Sequence, residues 1–386
     1  YEQNSIPLIH FSPNNKPDQA KYPEKQGKPR ILVAPLDWGL GHATRCFPLI
    51  RELQAQGADV WLAGEGAQAA LFSEAFPELP LLHLPGYQVE YAKTKRGLFF
   101  KLLLQLPRIL NSIWQEGRWL KRKVAGHGID AVISDNRYGL YHKKIPCIFI
   151  THQLCIKVPG SKRAERWLQK INYRFIQRFT ACWVPDHAAQ PGLAGDLSHP
   201  DRQPAIPVTY IGPLSRFEKL NLPETAQHLL LLLSGPEPQR TLLEEKLISE
   251  LVHYNGTATL VRGLPGNTSM MPSTNMIRIY NHLPQQVLNE ELHKAGMVIC
   301  RSGYSTLMDL AALNKKSILV ATPGQTEQEY IAQLHLQQKT ASTAEQSSFS
   351  LTEALDKASR FSFQPFPSSG KNELSAAVGR LLTSLR

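Results

Sequence analysis

Short apolar runs alternate with amphipathic segments along most of the first half of the chain. The apolar runs have the length of buried strands, and the segments between them have the three-to-four-residue spacing of helices. Strands are predicted at 30–35, 58–63, 81–84, 131–134, 147–151, 182–185 and 208–213, and helices at 41–56, 68–76, 97–124 and 164–179. Alternating strands and helices predict a parallel, doubly wound sheet of the α/β class.

The second half repeats this alternation after a Gly212-Pro213 break, which favours a linker. Strands are predicted at 229–233, 258–261, 276–280, 296–300 and 317–322, and helices at 240–252, 288–292, 304–313, 351–359 and 372–382. We therefore expect a polar, flexible leader over 1–29 and two Rossmann-like domains over 30–215 and 216–386. They should face each other across a cleft, and the last helix may return to the first domain.

The composition is that of a soluble globular protein. The 386 residues are 42% hydrophobic and 19% charged, and no apolar run has the length of a membrane span. The first 29 residues contain no apolar segment typical of a signal peptide. Five scattered cysteines form no CxxC pair, so we expect a reducing, cytoplasmic location with no disulfide framework or zinc site.

The net charge of +11 is concentrated in the first half. Residues 1–215 carry 27 Lys and Arg against 17 Asp and Glu, whereas residues 216–386 carry 16 against 15. A basic amphipathic segment, Lys93 to Arg108 with Phe99 and Phe100, suits an anionic surface on the inner face of the cytoplasmic membrane. The alternative is a helix that packs its apolar face on the sheet. No nucleic-acid motif accompanies the basic residues, so nucleic acid is not expected.

The stretch from Gly296 to Asp309 has the pattern of an anion site. An apolar strand ends in Ser302-Gly303, and a helix follows at once. Free backbone N–H groups and the positive end of a helix favour an anion at such a turn. Asp309 lies about one and a half turns into that helix, where a carboxylate can reach a ribose hydroxyl. The next strand brings a polar loop, 324–329, to the same edge of the sheet.

The first strand ends in Gly39-Leu40-Gly41-His42, at the corresponding edge of the first domain. The two glycines allow a ligand to approach the backbone, and His42 is a candidate general base or hydrogen-bond donor to a phosphate or hydroxyl. A helix-capping or surface histidine is the alternative. The spacing lacks the third glycine of the dinucleotide-binding fingerprint.

Other strand ends add polar residues to the predicted cleft. Asp135 and His152 are candidate partners of His42, although a turn-capping Asp and an edge His explain them equally well. Ser234-Gly235 offers hydroxyl and backbone donors to a diphosphate. Arg216, just past the linker, either faces the cleft or is an ordinary linker charge.

These residues resemble family 28 glycosyltransferases. The resemblance is carried by Cys300-Arg301-Ser302-Gly303, Asp309, Thr322-Pro323 and the loop 325–329, together with the Gly39 to His42 loop. It implies the GT-B fold, in which the second domain binds the nucleotide-sugar donor, expected here to be UDP-linked, and the first binds the acceptor. The residue sequence from Gly41 to Arg45 is similar to that of a less characterised branch of predicted transferases.

The resemblance also implies roles for individual residues. His42 would be the base or a phosphate ligand, and Asp309 replaces the glutamate that binds the ribose. Glu329 replaces the second of two glutamines that contact the donor sugar, and Asp37-Trp38 stand where the family has glycines. Together with Arg216, Ser234 and Gly235, which their positions after the linker and after a strand suggest, the expected donor-binding residues are Gly41, His282, Leu283, Ser302, Gly303, Thr306, Asp309, Gln325, Gln328 and Glu329.

We therefore expect an inverting transfer of a hexosyl or N-acetylhexosaminyl group from a UDP-linked sugar to a hydroxyl of a glycan or glycolipid. His42, Asp135 and His152 would form the catalytic group. The chain contains no Asp-x-Asp motif, and GT-B enzymes typically use no metal, so no cofactor is expected. Two alternatives remain open: a UDP-sugar 2-epimerase of the same fold, and a non-catalytic module that binds sugar nucleotides.

Overall fold

The structure of the chain is a computed structural model that describes residues 27–37, 39–87, 95–158, 160–269, 271–367 and 372–385. Two parallel sheets form the framework, one in each half. The strands of the first sheet are β1 Arg30–Pro35, β2 Asp59–Gly64, β3 Leu81–His83, β4 Ala131–Asp135, β5 Cys147–Ile150, β6 Ala181–Val184 and β7 Val208–Tyr210. Those of the second are β8 Thr225–Leu232, β9 Thr257–Val261, β10 Ile277–Tyr280, β11 Ala295–Cys300, β12 Ser317–Leu319 and β13 Ser342–Thr343.

Ten α-helices connect these strands or follow them. They are α1 Leu40–Ala55, α2 Gly66–Ala75, α3 Lys95–His127, α4 Lys162–Ile176, α5 Gln239–Leu251, α6 Gln285–Lys294, α7 Tyr304–Leu313, α8 Thr326–Gln337, α9 Leu351–Ser359 and α10 Glu373–Thr383, as far as the described residues extend. The two-sheet α/β class expected from the sequence is therefore observed.

Strand order and register bring the functional loops together. The first sheet has the order β3-β2-β1-β4-β5-β6-β7, and Pro35 pairs with Asp135, which pairs with Ile150. The second sheet has the order β10-β9-β8-β11-β12-β13, and Cys300 pairs with both Leu232 and Leu319. Since ligands bind at the carboxyl ends of parallel strands, each register sets a group of loops at one edge.

The last helix joins the two halves. In α10, Val378 and Leu381 are buried in the same apolar cluster as Leu53 of α1. The side-chain amide of Gln56, just after α1, donates to the carbonyl of Ser375 at 2.9 Å. The chain therefore ends on the first domain, although α10 follows the second sheet.

The second half of α3 is a core helix. Ile113, Trp119 and Leu120 are buried against the first domain, whereas Leu110 and Trp114 are exposed. The side chains of Phe99 and Phe100, and Lys93 itself, are outside the described residues, so the predicted membrane segment is not described there. Among the described helices, none has the length and apolarity needed to cross a bilayer.

Some predicted boundaries were wrong. The polar loop expected over 324–329 is in part the first turn of α8, which starts at Thr326. Glu327 and Glu329 lie in that turn, where a helix N-terminus favours negative charge. Strand β8 begins at Thr225, four residues before the prediction, because its first residues are exposed and polar and leave no apolar signal.

Candidate active site

His42 and Asp135 form a hydrogen-bonded pair at the edge of the first sheet. His42 lies in the first turn of α1 and Asp135 is the last residue of β4. Nδ1 of His42 lies 3.2 Å from Oδ2 of Asp135. Because an ionised carboxylate only accepts, Nδ1 carries the proton and Nε2 has a free lone pair. The predicted partnership of these two residues is present in the structure.

Arg45, one turn after His42 on α1, binds the same carboxylate. Its Nε donates to Oδ2 of Asp135 at 2.6 Å, and its Nη2 donates to Oδ1. Both side chains are almost fully buried. Sequence reasoning missed Arg45, although its position three residues after His42 places both on one face of the helix.

His152 connects this cluster to the second domain. Its Nε2 lies 2.7 Å from Oε1 of Glu327 in the first turn of α8, and Gln153 also donates to this carboxylate. The imidazole stacks on the Tyr304 ring at the start of α7, with the centroids 4.0 Å apart. Nη1 of Arg45 lies 3.5 Å from the other imidazole nitrogen. The three predicted catalytic residues therefore form one network that crosses the cleft.

Burial and Arg45 set the charges of this network. Burial would raise the pKa of Asp135, but the Arg45 guanidinium and His42 outweigh it and hold that pKa well below its usual range. Burial, followed by the charge of Arg45, lowers the pKa of His42 despite the nearby carboxylate. His42 is therefore a neutral imidazole at neutral pH.

The N-terminus of α7 faces His42 across the cleft. A Cβ atom placed on Gly303 would meet no atom within 4 Å, so space is open at this N-cap. The first turn of α7 also holds Thr306, which is half-buried. Ser305 Oγ donates to the carbonyl of Gly41 at 3.0 Å, which fixes the two helix N-termini side by side. This arrangement leaves backbone N–H groups available to an anionic ligand beside His42.

Hydrogen bonds connect the turn after β11 to the start of α8. The buried Ser302 hydroxyl donates to the carbonyl of Gln328 at 2.8 Å. The Gln328 amide donates to Oε1 of Gln325 at 2.5 Å and accepts from Thr322 N at 2.9 Å. Glu329 accepts from Gly324 N at 3.1 Å. Ser302, Gln325, Gln328 and Glu329 therefore lie together, and Ser302 supports the neighbouring turn.

Asp309 faces the interdomain linker. Its Oδ1 accepts from Ser215 Oγ at 2.7 Å, and the charge of the adjacent Arg216 lowers the carboxyl pKa. Burial is the larger effect, and it raises that pKa to about 6. Nε of Arg216 is buried and has no hydrogen-bond partner among the described residues. The structure thus groups Asp309 with Arg216, more than one and a half turns further along α7 than Gly303.

Ser234 and Gly235 are exposed at the end of β8. A Cβ atom on Gly235 would lie 3.7 Å from Oγ1 of Thr322, a buried hydroxyl without a hydrogen-bond partner in the described part of the chain. The positive φ of Gly235, 99°, is a conformation that favours glycine. Thr322, which the sequence suggested only as part of a motif, therefore adds a donor to this edge.

The turn at His282 and Leu283 lies opposite α2. Nε2 of His282 is 3.9 Å from a carboxylate oxygen of Glu74 on that helix. Leu283 is buried in the apolar core, so its side chain fills the interior and only its backbone is available to a ligand. Among the described residues, no group of three or more His, Cys, Asp or Glu side chains is arranged to hold a metal ion.

Several solved structures of glycosyltransferases share the fold of this chain. The chain resembles a solved glycotransferase of kitacinnamycin with a TM-score of 0.59 and 16% identity, covering 93% of this chain and 96% of that one. MurG from Acinetobacter baumannii has a TM-score of 0.50 and 14% identity, covering 92% of this chain and 99% of MurG. UGT2 from Phytolacca americana was solved with UDP-2-fluoro-glucose and pterostilbene. It has a TM-score of 0.55 and 14% identity, covering 94% of each chain. These similarities show the GT-B fold.

A sequence comparison adds a match to one domain family. Residues 269–379 match the model of the glycosyltransferase family 28 C-terminal domain, and this range includes α7 and the start of α8. Compared by sequence with curated proteins, the chain matches none. The chain thus has the GT-B fold, and a segment of its second half matches the family 28 C-terminal domain; together these findings support a glycosyltransferase.

Proposed function

We propose that this protein is an inverting glycosyltransferase that moves a sugar from a UDP-linked donor to an acceptor hydroxyl. The observation that carries the proposal is the His42–Asp135 pair, held 3.2 Å apart opposite the open N-terminus of α7. A base on one side of the cleft and an anion site on the other are the two parts that a direct displacement needs.

The chemistry requires one proton transfer. The free Nε2 of His42 takes the proton of the acceptor hydroxyl, and Asp135 stabilises the imidazolium that forms. The acceptor oxygen bonds to the anomeric carbon while the bond from that carbon to the diphosphate oxygen breaks. One displacement inverts the configuration, and the nucleoside diphosphate leaves with the bonding electrons. Backbone N–H groups at Gly303 and the α7 dipole stabilise its added charge.

The donor half of the proposal draws on the family 28 match and on Asp309. A ribose hydroxyl would replace Ser215 as the partner of the Asp309 carboxylate, and Gln328 and Glu329 would contact the sugar. Thr322 Oγ1 and the backbone at Gly235 would bind the diphosphate. UGT2 from Phytolacca americana, which shares the fold, was solved with a UDP-sugar analogue, and this supports a UDP-linked donor.

The acceptor would be a cell-envelope glycan or a membrane glycolipid, approached from the cytoplasmic side. The surfaces of α3 and α4 support peripheral contact with an anionic membrane. Trp114 and Trp167 are 59% and 63% exposed. The exposed charges on these two helices are cationic: Arg108, Arg118, Lys121 and Arg122 on α3, and Lys162, Arg163, Arg166, Lys170 and Arg174 on α4, counting described side chains only.

Two substitutions test the assignment. His42→Ala should lower turnover of the UDP-sugar by 10²- to 10⁴-fold while donor affinity changes little, because general-base catalysis contributes about that much. Asp309→Ala should weaken UDP binding measured by calorimetry. Both proteins are first compared with the wild type by thermal unfolding.

A screen of nucleotide sugars by thermal shift supplies the donor for these assays. Equal turnover in wild type and His42→Ala would disprove the base assignment, and unchanged UDP affinity in Asp309→Ala would disprove the ribose contact. Conversion of a UDP-sugar to its 2-epimer in the absence of an acceptor would show that the protein is an epimerase and not a transferase.

A further inference from the structure

A cavity of about 440 Å³ lies between the two domains, next to the start of α1. Its first-domain wall consists of the loop after β1 and the start of α2, including Asp37, Glu65 and Gln68. Its second-domain wall is the loop after β9, residues 263–267. The volume lies within the range of small-molecule sites, roughly 300–1,000 Å³.

Hydrogen-bond acceptors dominate the first-domain wall. The Gln68 amide nitrogen donates to the carbonyls of Leu36 and Gly39, which fixes the orientation of that amide. Because only the nitrogen can donate to these carbonyls, the other amide atom is the oxygen. This oxygen is buried and has no hydrogen-bond partner among the described residues. Gln68 as a whole is only 4% exposed. An unpartnered acceptor in such a position favours a ligand that donates hydrogen bonds.

Two carboxylates converge beside Gln68. A Cβ atom placed on Gly86 would lie 2.0 Å from Oδ2 of Asp37 and 2.9 Å from Oε1 of Glu65, so these oxygens are at most about 5 Å apart. The Gly86 N–H donates to Glu65 at 2.6 Å, which holds this carboxylate in place. None of the described residues that line the cavity is Lys or Arg. The two carboxylates therefore disfavour a phosphate next to them and favour groups that donate hydrogen bonds, such as hydroxyls.

We propose that this cavity is the acceptor subsite and that it takes the hydroxyl-rich, phosphate-free end of a glycan. The inference rests on the proposed function and specifies the chemical class of its acceptor. Leu40, at the start of α1, lines the cavity, so the cavity lies at the N-terminal end of the helix that carries His42. Closure of the cavity by the loop 263–267 also gives the second domain a part in acceptor selection.

The test measures acceptor binding without donor. Probes are the methyl glycosides of glucose, galactose, mannose and N-acetylglucosamine, each paired with the free sugar carrying a 6-phosphate. Saturation-transfer NMR should show at least one methyl glycoside binding in the millimolar range. Its phosphorylated counterpart should bind at least tenfold more weakly.

Asp37→Asn and Glu65→Gln should each weaken binding of the preferred glycoside at least fivefold. In the double variant, the affinities for the neutral and the phosphorylated probes should lie closer together than in the wild type. These replacements keep the size of the side chains, and thermal unfolding checks that they fold. Glu245→Gln, which changes an exposed carboxylate on α5, is the matched control and should bind both classes like the wild type.

The inference is overturned if no methyl glycoside binds, if phosphorylated sugars bind as tightly as the neutral ones, or if the double variant behaves like the wild type. UDP titrations of the same proteins keep the two proposals separate. Wild-type protein that binds UDP but no glycoside refutes only the acceptor subsite. Wild-type protein that binds a glycoside but neither UDP nor any UDP-sugar refutes the donor proposal.

Discussion

At the scale of single residues, Arg45 is the charged group that, after burial, most lowers the pKa of the proposed base. A carboxylate paired with histidine normally raises the pKa of the imidazole by stabilising its charged form. Here both Asp135 oxygens also bind the buried guanidinium of Arg45. With burial as the larger cause and Arg45 as the next, the pKa of His42 is lowered, so the free lone pair persists into mildly acidic solution.

Replacing Arg45 should therefore change the pH dependence of transfer. The neutral imidazole is the active form, so activity falls as pH drops through the His42 pKa. Arg45→Gln removes a charge that lowers this pKa and leaves Asp135 to raise it. The acidic limb of the kcat/KM profile should move to higher pH, by roughly one unit. Arg45→Lys keeps the positive charge, so its acidic limb should lie close to that of the wild type. NMR titration of the His42 ring provides a readout independent of activity, and an unmoved limb in Arg45→Gln would contradict this account.

At the scale of elements, one buried ion pair fastens α3 to the first sheet. Nε of Arg137, in the loop after β4, donates to Glu116 of α3 at 2.7 Å, and both side chains are at least 97% buried. Glu116 also accepts from the Tyr87 hydroxyl at 2.7 Å and from Gly139 N at 3.0 Å. Arg137 donates in turn to the carbonyl of Pro85 at 2.5 Å. The pair thus joins α3 to the loops that follow β3 and β4.

Breaking this pair should destabilise the fold far more than removing a surface charge. Arg137→Met leaves the Glu116 carboxylate buried without its cation, which costs about 3–5 kcal/mol in the free energy of unfolding. Arg118→Met, on the exposed side of the same helix, should cost no more than about 0.5 kcal/mol. Urea unfolding measures both. Adding Glu116→Leu to Arg137→Met should recover part of the loss, and a fully additive double variant would argue against a coupled pair.

At the scale of the whole molecule, direct contacts between the domains define the cleft. Glu327 binds His152, Ser305 binds the carbonyl of Gly41, and the Tyr304 hydroxyl donates to the carbonyl of Pro185 at 2.8 Å. These contacts surround the proposed reaction centre and continue to α10, which lies on α1. The two walls therefore contact each other directly at the proposed reaction centre.

The Glu327–His152 contact should appear as a coupling free energy between the domains. In a double-mutant cycle of Glu327→Ala and His152→Ala, the two substitutions should be non-additive by about 0.5–3 kcal/mol in the free energy of unfolding. The Lys157–Asp196 pair is a control because Asp196 is 68% exposed, and its coupling should be below about 1 kcal/mol. Equal coupling in the two cycles would show that the interdomain contact adds nothing specific.

The sequence by itself determined the α/β class and the strand–turn–helix stretch ending at Asp309, and it offered Asp135 and His152 only as candidate partners of His42. These follow from local apolar periodicity, from glycine-containing turns and from the rule that parallel strands end at one edge. Helix α8 was not predicted at all, because its polar first turn was interpreted as a loop.

Only the tertiary structure decided how these residues are charged and with what they are paired. Arg45 and Asp135 are 90 residues apart in sequence, and His152 and Glu327 are 175 apart. No local pattern encodes such contacts, nor the burial that raises the pKa of Asp309 to about 6. The unpartnered oxygen of Gln68 likewise depends on where two separate loops fold, because hydrogen-bond satisfaction is a property of the packed chain.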